Sequence, residues 1–162
     1  EISVGKKRRG LPFDTISREN VRVQLAEKFL LAFHGDTINQ KDKKYLKWRR
    51  TIRNPLFERL FSLLPASVVS RLIVKLEKEL KTTNLKFKKS FPTVEWEKFV
   101  YHHSEMLSPD LIVAGHFHPE SPIIANHAST TAVVVPDWHR KRDFMVIHSD
   151  ASFEFRSFEN DF

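Results

Sequence analysis

The chain has 162 residues, of which 41% are hydrophobic, 14 are Phe and only four are Gly. This composition predicts one domain, or part of one, with a real core, and it excludes a disordered chain. The net charge of +7 favours anionic partners such as phosphates, nucleic acid or acidic lipid surfaces. The chain has no Cys, which excludes a disulfide framework, and no apolar run approaches the roughly 20 residues of a membrane span.

The first 40 residues predict a basic loop followed by two strands. Residues 1–19 are polar and contain the basic run 6–9, which we interpret as a solvated loop rather than an anion contact. Apolar and polar side chains alternate over 21–25 and predict a half-buried strand, and residues 28–33 predict a more buried one. The second strand ends at His34-Gly35-Asp36, the segment of the first half best suited to chemistry.

The middle of the chain predicts three helices and a linker. Residues 41–53 combine many Lys and Arg with one apolar stripe, and Asn54-Pro55 ends that helix. Two short helices, over about 55–64 and from Pro65 to about Leu80, are apolar over wide arcs. The pattern fits two alternatives, ordinary core packing or a cap whose apolar face contacts a ligand. Residues 81–90 predict a basic linker.

The last third predicts one more helix and a series of strands. Pro92 suits the first turn of a helix that extends to about Met106. An apolar run over 111–115 predicts a buried strand that stops at Gly115. This order of elements predicts a layered α/β domain with a mixed sheet. Four further strands with short turns are predicted over 122–125, 130–135, 144–148 and 152–158.

Three histidines at predicted strand ends form a candidate metal-binding set, namely His34, His116 and His118. Residues two apart in extended chain point the same way, so His116 and His118 are expected to converge at a strand's C-terminal edge, where ligands bind in α/β sheets. Imidazole is the commonest metal ligand in proteins. The pattern alone leaves open whether His34 is a ligand or a loop residue. We interpret the other five histidines as ordinary, and Asp137-Trp138-His139 as a turn.

Two of these segments carry a family resemblance. Gly115-His116-Phe117-His118 resembles the last metal-binding motif of calcineurin-like metallophosphoesterases, and His34-Gly35-Asp36 resembles the motif before it. The stretch from His34 to Arg49 and the later Val135-Pro136-Asp137-Trp138 narrow the resemblance to the UDP-2,3-diacylglucosamine hydrolases of the lipid A pathway. The resemblance spans residues 20–158. It implies a layered α-β-β-α metallophosphoesterase sandwich with mixed sheets and a helical cap over about 41–90.

The resemblance also implies the site residues. His34 and His116 would bind one metal ion and His118 another, in a centre of two divalent ions, with Mn²⁺ the first candidate and Fe²⁺ or Zn²⁺ the alternatives. The implied reaction hydrolyses the diphosphate of a phosphorylated small molecule, a nucleotide-linked glycolipid similar to UDP-2,3-diacylglucosamine. Apolar faces of the cap would hold its acyl chains. The implied substrate contacts are Asp42, Tyr45, Lys81, Lys86 and Lys88.

The opening motifs of that family, namely Asp-x-His, Gly-Asp and Gly-Asn-His/Arg-Asp, are not found in this sequence. We therefore expect residues 1–162 to be the C-terminal part of one metallophosphoesterase domain, weakly active alone, with the missing N-terminal half as its partner. Pro119-Glu120 stands where the lipid A branch usually has Arg-Pro, which leaves the exact substrate open. The resemblance implies a cytoplasmic protein with a peripheral contact to the anionic inner membrane and no specific nucleic-acid partner.

Two other classes of function stay open at this stage. The positive charge suits a non-catalytic module that binds nucleic acid or an anionic membrane surface. A degenerate phosphoesterase-like domain with a regulatory role is compatible with the missing motifs. The binding module leaves the spacing of the histidines unexplained, so a metal-dependent phosphoesterase is the leading hypothesis.

Overall fold

The architecture is known from a computed structural model, which describes residues 17, 19–75, 78 and 91–158. The chain divides into two compact units. The first is formed by Glu1–Ile38 and Thr93–Phe162, and the second by Asn39–Pro92. The predicted basic run at 6–9 and the predicted linker over 81–90 lie outside the described residues.

The strands of the first unit are β1 (Asn20–Leu25), β2 (Lys28–Phe33), β3 (Leu111–Ala114), β4 (Ile123–His127), β5 (Thr130–Val134), β6 (Asp143–Ile147) and β7 (Phe153–Ser157). The first five form a mixed sheet in the order β1-β2-β3-β5-β4. The pairs β1/β2 and β4/β5 are antiparallel, while β3 lies parallel to β2 on one side and to β5 on the other. Two further strands form a separate antiparallel ribbon. The predicted α/β class with a mixed sheet is confirmed.

The helices are α1 (Lys43–Ile52), α2 (Pro55–Ser62), α3 (66–75), α4 (Thr93–Leu107) and α5 (Trp138–Lys141). The first two begin where the sequence offers a cap. Asp42 accepts a hydrogen bond from the Tyr45 backbone N–H at the start of α1. Asn54 accepts one from the Leu56 backbone N–H at the start of α2, which has Pro55 in its first turn. The prediction that residues 137–139 form a turn is wrong, because Asp137 is the N-cap of a short helix. No helix of the described ranges is long and apolar enough to cross a membrane.

The five-stranded sheet is covered on both faces. Leu30, Leu111 and Val133 form a buried cluster on one face, and apolar side chains of the β6–β7 ribbon pack against it. On the other face, Phe33 of β2 contacts Phe99 of α4, with ring centroids 4.9 Å apart. Because successive strand residues point to opposite faces, the short apolar strands can serve both layers. Strand β3, which is followed by His116 and His118, is therefore held rigidly from both faces of the sheet.

The second unit is built differently, because its helices leave large apolar side chains in solvent. Leu56, Leu60 and Leu63 are 68%, 64% and 80% exposed. No residue of α1 or α2 is fully buried. Ordinary core packing, one of the two alternatives left by the sequence, therefore does not account for these three side chains. The other alternative, a cap whose apolar face contacts a ligand, stays a prediction.

Asp110 lies at the end of the sheet opposite to the histidines, where it hydrogen-bonds to neighbouring strands. Its carboxylate accepts hydrogen bonds from the Phe29 backbone N–H and from the Lys28 ammonium group, both at 2.8 Å. Its own backbone N–H donates to the Phe29 carbonyl at 2.8 Å, and its carbonyl accepts from the Thr131 N–H at 2.9 Å. One residue thus joins the beginnings of β2, β3 and β5.

This arrangement predicts a pH-dependent stability. The hydrogen bond from Lys28, then that from the Phe29 N–H, lowers the pKa of Asp110 below its usual value of 3.8. A carboxyl group whose pKa is lower in the folded state stabilises the fold above its unfolded pKa, and that contribution is lost as the pH falls toward the folded-state value. We expect Asp110→Asn to be less stable at neutral pH and to lose less stability below pH 3.8 than the wild type.

Denaturant unfolding at neutral and acidic pH measures both effects. Glu97→Gln makes the same carboxyl-to-amide change on an exposed position of α4 and should leave the acid dependence as in the wild type. An Asp110→Asn variant with unchanged acid dependence would show that this carboxylate does not stabilise the fold by its charge.

Candidate functional site

Two of the predicted ligands meet because β2 and β3 are parallel neighbours that end together. The last residues of the two strands, Phe33 and Ala114, are paired in the register. The chain continues from them into His34 and into Gly115-His116, so both segments leave the same edge of the sheet. The rings of His34 and His116 lie with their centroids 5.2 Å apart and their planes at 73°.

The close approach of these two loops requires glycine at position 35. Gly35 has φ +97°, and a β-carbon there would lie 2.7 Å from the Gly115 carbonyl oxygen and 3.4 Å from the His116 β-carbon. Real β-carbons do not come that near to a backbone oxygen. The Ile38 N–H donates to the Gly35 carbonyl at 3.2 Å and closes the turn that follows. The Gly35 backbone therefore sets how near His34 comes to His116.

The expected convergence of His116 and His118 through extended chain is wrong. His116 has φ 74° and His118 has φ 50°, so both lie in the left-handed region and not in extended chain. The Phe117 N–H donates to the Gly115 carbonyl at 2.9 Å and tightens the turn. His116 is therefore next to His34, whereas His118 contacts Asp137, with Nδ1 and Oδ1 3.2 Å apart.

Asp137 is the residue of this site whose role the sequence did not reveal. Its Oδ1 also accepts from the His139 backbone N–H at 3.1 Å, and its backbone N–H donates to the Pro119 carbonyl at 2.9 Å. The hydrogen bond from the His139 N–H is the main reason why the pKa of Asp137 is lowered, and the contact with His118 adds to it. The available signal was the preference of Asp for helix N-caps, which does not indicate a histidine 19 residues away.

The donor set suits a first-row metal but is incomplete on its own. Neutral imidazole binds Mn²⁺, Fe²⁺ and Zn²⁺, and His34 and His116 present two such rings at one place. Among the described residues, no group of three or more His, Asp or Glu side chains lies close enough together to hold an ion. Two imidazoles do not fill a coordination shell, so a metal bound here needs further ligands.

The expected substrate-binding residues all belong to the second unit, and three of them lie outside the described residues. Asp42 is buried, and its carboxylate accepts from the Tyr45 backbone N–H at 3.0 Å, which gives it a structural role at the start of α1. The Tyr45 ring lies beside Trp48, with centroids 5.9 Å apart. The structure does not describe Lys81, Lys86 or Lys88.

Three of the other histidines have contacts of their own, and His103 also lies near the sheet edge, with its ring centroid 4.9 Å from that of Phe33. Burial lowers the pKa of His103, whose ring lies 4.1 Å from that of Phe99 between centroids. His127 contacts Glu105 at 3.2 Å, and His148 contacts Glu154 at 3.3 Å. The interpretation that these histidines are not site residues stays a prediction.

No protein-family model matches the chain. Several curated proteins do, among them the UDP-2,3-diacylglucosamine hydrolases of three bacteria. The protein of Photorhabdus laumondii is 28% identical over 138 residues, which are 84% of this chain and 57% of the relative. That of Coxiella burnetii is 27% identical over 86% of this chain and 58% of its own length. That of Haemophilus influenzae is 30% identical over 82% and 54%.

The chain spans about half the length of the curated relatives it matches, and the matched portion is their C-terminal part. The alignment with each relative includes more than four fifths of this chain. The resemblance inferred from the two histidine motifs is therefore confirmed: the chain is a distant relative of the UDP-2,3-diacylglucosamine hydrolases and corresponds to their C-terminal part.

Proposed function

We propose that this protein is a metal-dependent phosphoesterase that hydrolyses the diphosphate of a nucleotide-linked glycolipid similar to UDP-2,3-diacylglucosamine. The observation that carries the proposal is the His34–His116 pair at the common end of two parallel strands. It occurs in a chain whose relatives are named as hydrolases of that substrate. Strand ends are rigid supports, and a catalytic centre requires its ligands to be held in place.

In this proposal His34 and His116 hold one divalent ion and His118 holds a second, with Mn²⁺ as the first candidate and Fe²⁺ or Zn²⁺ as alternatives. Such ions supply positive charge to the phosphoryl oxygens and activate water when they are bound. The backbone of this chain keeps the His34 and His116 rings adjacent, and Asp137 contacts His118. We propose that the remaining ligands correspond to the part of the relatives outside the aligned region, which would complete a layered α-β-β-α sandwich.

The second unit supplies surfaces that suit the rest of such a substrate. Exposed Leu56, Leu60 and Leu63 offer an apolar surface for acyl chains, which contribute about 0.8 kcal/mol for each methylene group removed from water. Tyr45 follows the histidine loop and is the proposed substrate contact, and the buried Asp42 serves this contact by holding the Tyr45 backbone N–H. The charged phosphates would be met by Lys81, Lys86 and Lys88.

Metal removal tests the proposal directly. The natively expressed protein should lose hydrolysis of UDP-2,3-diacylglucosamine after treatment with a chelator, because the charge on the phosphoryl oxygens is then no longer compensated. Adding Mn²⁺ back should restore it, while Mg²⁺ offers a control with less preference for imidazole. Hydrolysis that persists fully after chelation, or that no metal supports, would contradict the proposal.

The exposed lysines of α1 favour a second candidate function, a non-catalytic anion-binding module. Lys43, Lys44 and Lys47 are all exposed on the described surface. Binding of generic DNA or of anionic vesicles that falls steeply with salt, in a protein that retains no metal, would favour this candidate. Retained metal without hydrolysis would instead favour a degenerate phosphoesterase-like domain with a regulatory role.

A further inference from the structure

Contacts with residues other than His118 hold the carboxylate of Asp137 in place. Its backbone N–H donates to the Pro119 carbonyl at 2.9 Å, so Asp137 is tied to the residue that follows His118. Its Oδ1 accepts from the His139 N–H at 3.1 Å, and its side chain is only 14% exposed. The carboxylate therefore has little freedom, and little entropy is lost when it binds the imidazole.

This contact decides which nitrogen of His118 carries the proton. A carboxylate only accepts hydrogen bonds, so the Nδ1 atom 3.2 Å from Oδ1 must be the donor. In a neutral ring with its proton on Nδ1, the lone pair lies on Nε2. The backbone of His118 is itself in the left-handed region at φ 50°, a conformation that needs support from its surroundings. Asp137 supports this turn through both its carboxylate and its backbone.

We propose that Asp137 is a positioning residue, which orients His118 with its proton on Nδ1 and leaves Nε2 free to bind a metal ion. The metal-binding part of this proposal rests on the proposed function; the choice of nitrogen does not. Carboxylates that accept from the second nitrogen of a metal-binding histidine occur widely, and they hold the ring orientation as well as the tautomer. The side chain of His118 is 47% exposed, so burial does not fix the orientation of its ring.

The tautomer can be read in the metal-free protein. Long-range ¹H–¹⁵N correlation spectra, recorded at about pH 8, above the ordinary pKa of a histidine side chain, distinguish a proton on Nδ1 from one on Nε2. We expect wild-type His118 to carry it on Nδ1. In Asp137→Ser the hydroxyl group can still cap α5 but is too short to replace the carboxylate, so the proton should move to Nε2, the preference of a free histidine side chain. Asp137→Asn retains an acceptor oxygen and should keep the proton on Nδ1.

Zn²⁺ titration of the same three proteins gives a second readout. Asp137→Ser should weaken binding by about 10- to 100-fold, the usual effect of losing such a partner, and Asp137→Asn should weaken it less. Asp150→Ser is the matched control, since Asp150 also accepts from a backbone N–H, at 3.0 Å from Ser152. It should leave the His118 signals and Zn²⁺ binding unchanged.

The outcomes separate this proposal from the proposed function. A wild-type His118 with its proton on Nε2, or a tautomer unchanged in Asp137→Ser, would overturn the positioning role. A tautomer that responds as expected, in a natively expressed protein that binds no Zn²⁺, would support the choice of nitrogen by Asp137 and overturn both its metal-binding consequence and the proposed function.

Discussion

Replacing His116 with alanine is expected to lower turnover of UDP-2,3-diacylglucosamine by about 100-fold or more, since even the outer-shell partners of a metal ligand are commonly worth about 10- to 100-fold. His116 is the ring that lies beside His34, with centroids 5.2 Å apart. Removing it leaves one imidazole where the proposed site has two. Steady-state hydrolysis and metal content, both measured on the natively expressed protein, check this expectation.

Two control variants separate lost chemistry from lost structure. His102→Ala removes an exposed histidine of α4 and should leave turnover unchanged. His116→Gly should be inactive but at least as stable as the wild type, because glycine accepts the φ of 74° that a side chain at this position does not favour. Unchanged turnover in His116→Ala would contradict the assignment of His116 as a ligand.

Gly35→Ala is expected to be the most destabilising of these substitutions, by about 3 kcal/mol or more, from the combined cost of a strained left-handed backbone and a steric clash. The added β-carbon would lie 2.7 Å from the Gly115 oxygen, and both groups belong to backbone that follows a buried strand. Relief of this clash would move the His34 loop away from His116. Denaturant unfolding measures the loss of stability, and metal binding should weaken in parallel.

Gly115→Ala is the matched control for that substitution. A β-carbon at Gly115 would lie 3.4 Å from the His34 carbonyl oxygen and 3.9 Å from a Val135 methyl group, both ordinary contact distances. Its cost should be small beside that of Gly35→Ala. Equal destabilisation by the two changes would show that the approach of the two loops is not what requires glycine at position 35.

The position of His34 and His116 at one edge of the sheet could be predicted from the sequence, because both follow short apolar runs that form parallel strands. Apolar runs of this length report strand formation well, and parallel strands bring their ends to one edge. The left-handed backbone of His116 and His118 was not accessible, because a positive φ at a residue other than glycine is imposed by tertiary contacts. The local pattern therefore predicted an extended pair, and the structure has a turn.

The second unit also shows the difference between local signals, which a sequence reveals, and tertiary contacts, which it does not. Asp42 and Asn54-Pro55 are local signals, and α1 and α2 begin where they predict. The apolar arcs of the helices did not distinguish a core from a surface, since the pattern reports only that apolar residues share a face. Likewise, the contact of Asp137 with His118 joins residues 19 apart and has no local signature.

The parallel pairing of β2 with β3 has a consequence for the order of folding. The β1–β2 hairpin closes through only two residues, whereas the hydrogen bond from Phe29 to Asp110 joins residues 81 apart. Pairing across such a distance is slow, because the loop must be closed before any contact stabilises it. We therefore expect the two histidine loops to meet late in folding.

Once β2 and β3 are paired, lengthening the intervening segment is inexpensive, at about 0.6 kcal/mol for each doubling of a flexible loop. The second unit can accordingly diverge in size while the edge that carries His34 and His116 is retained.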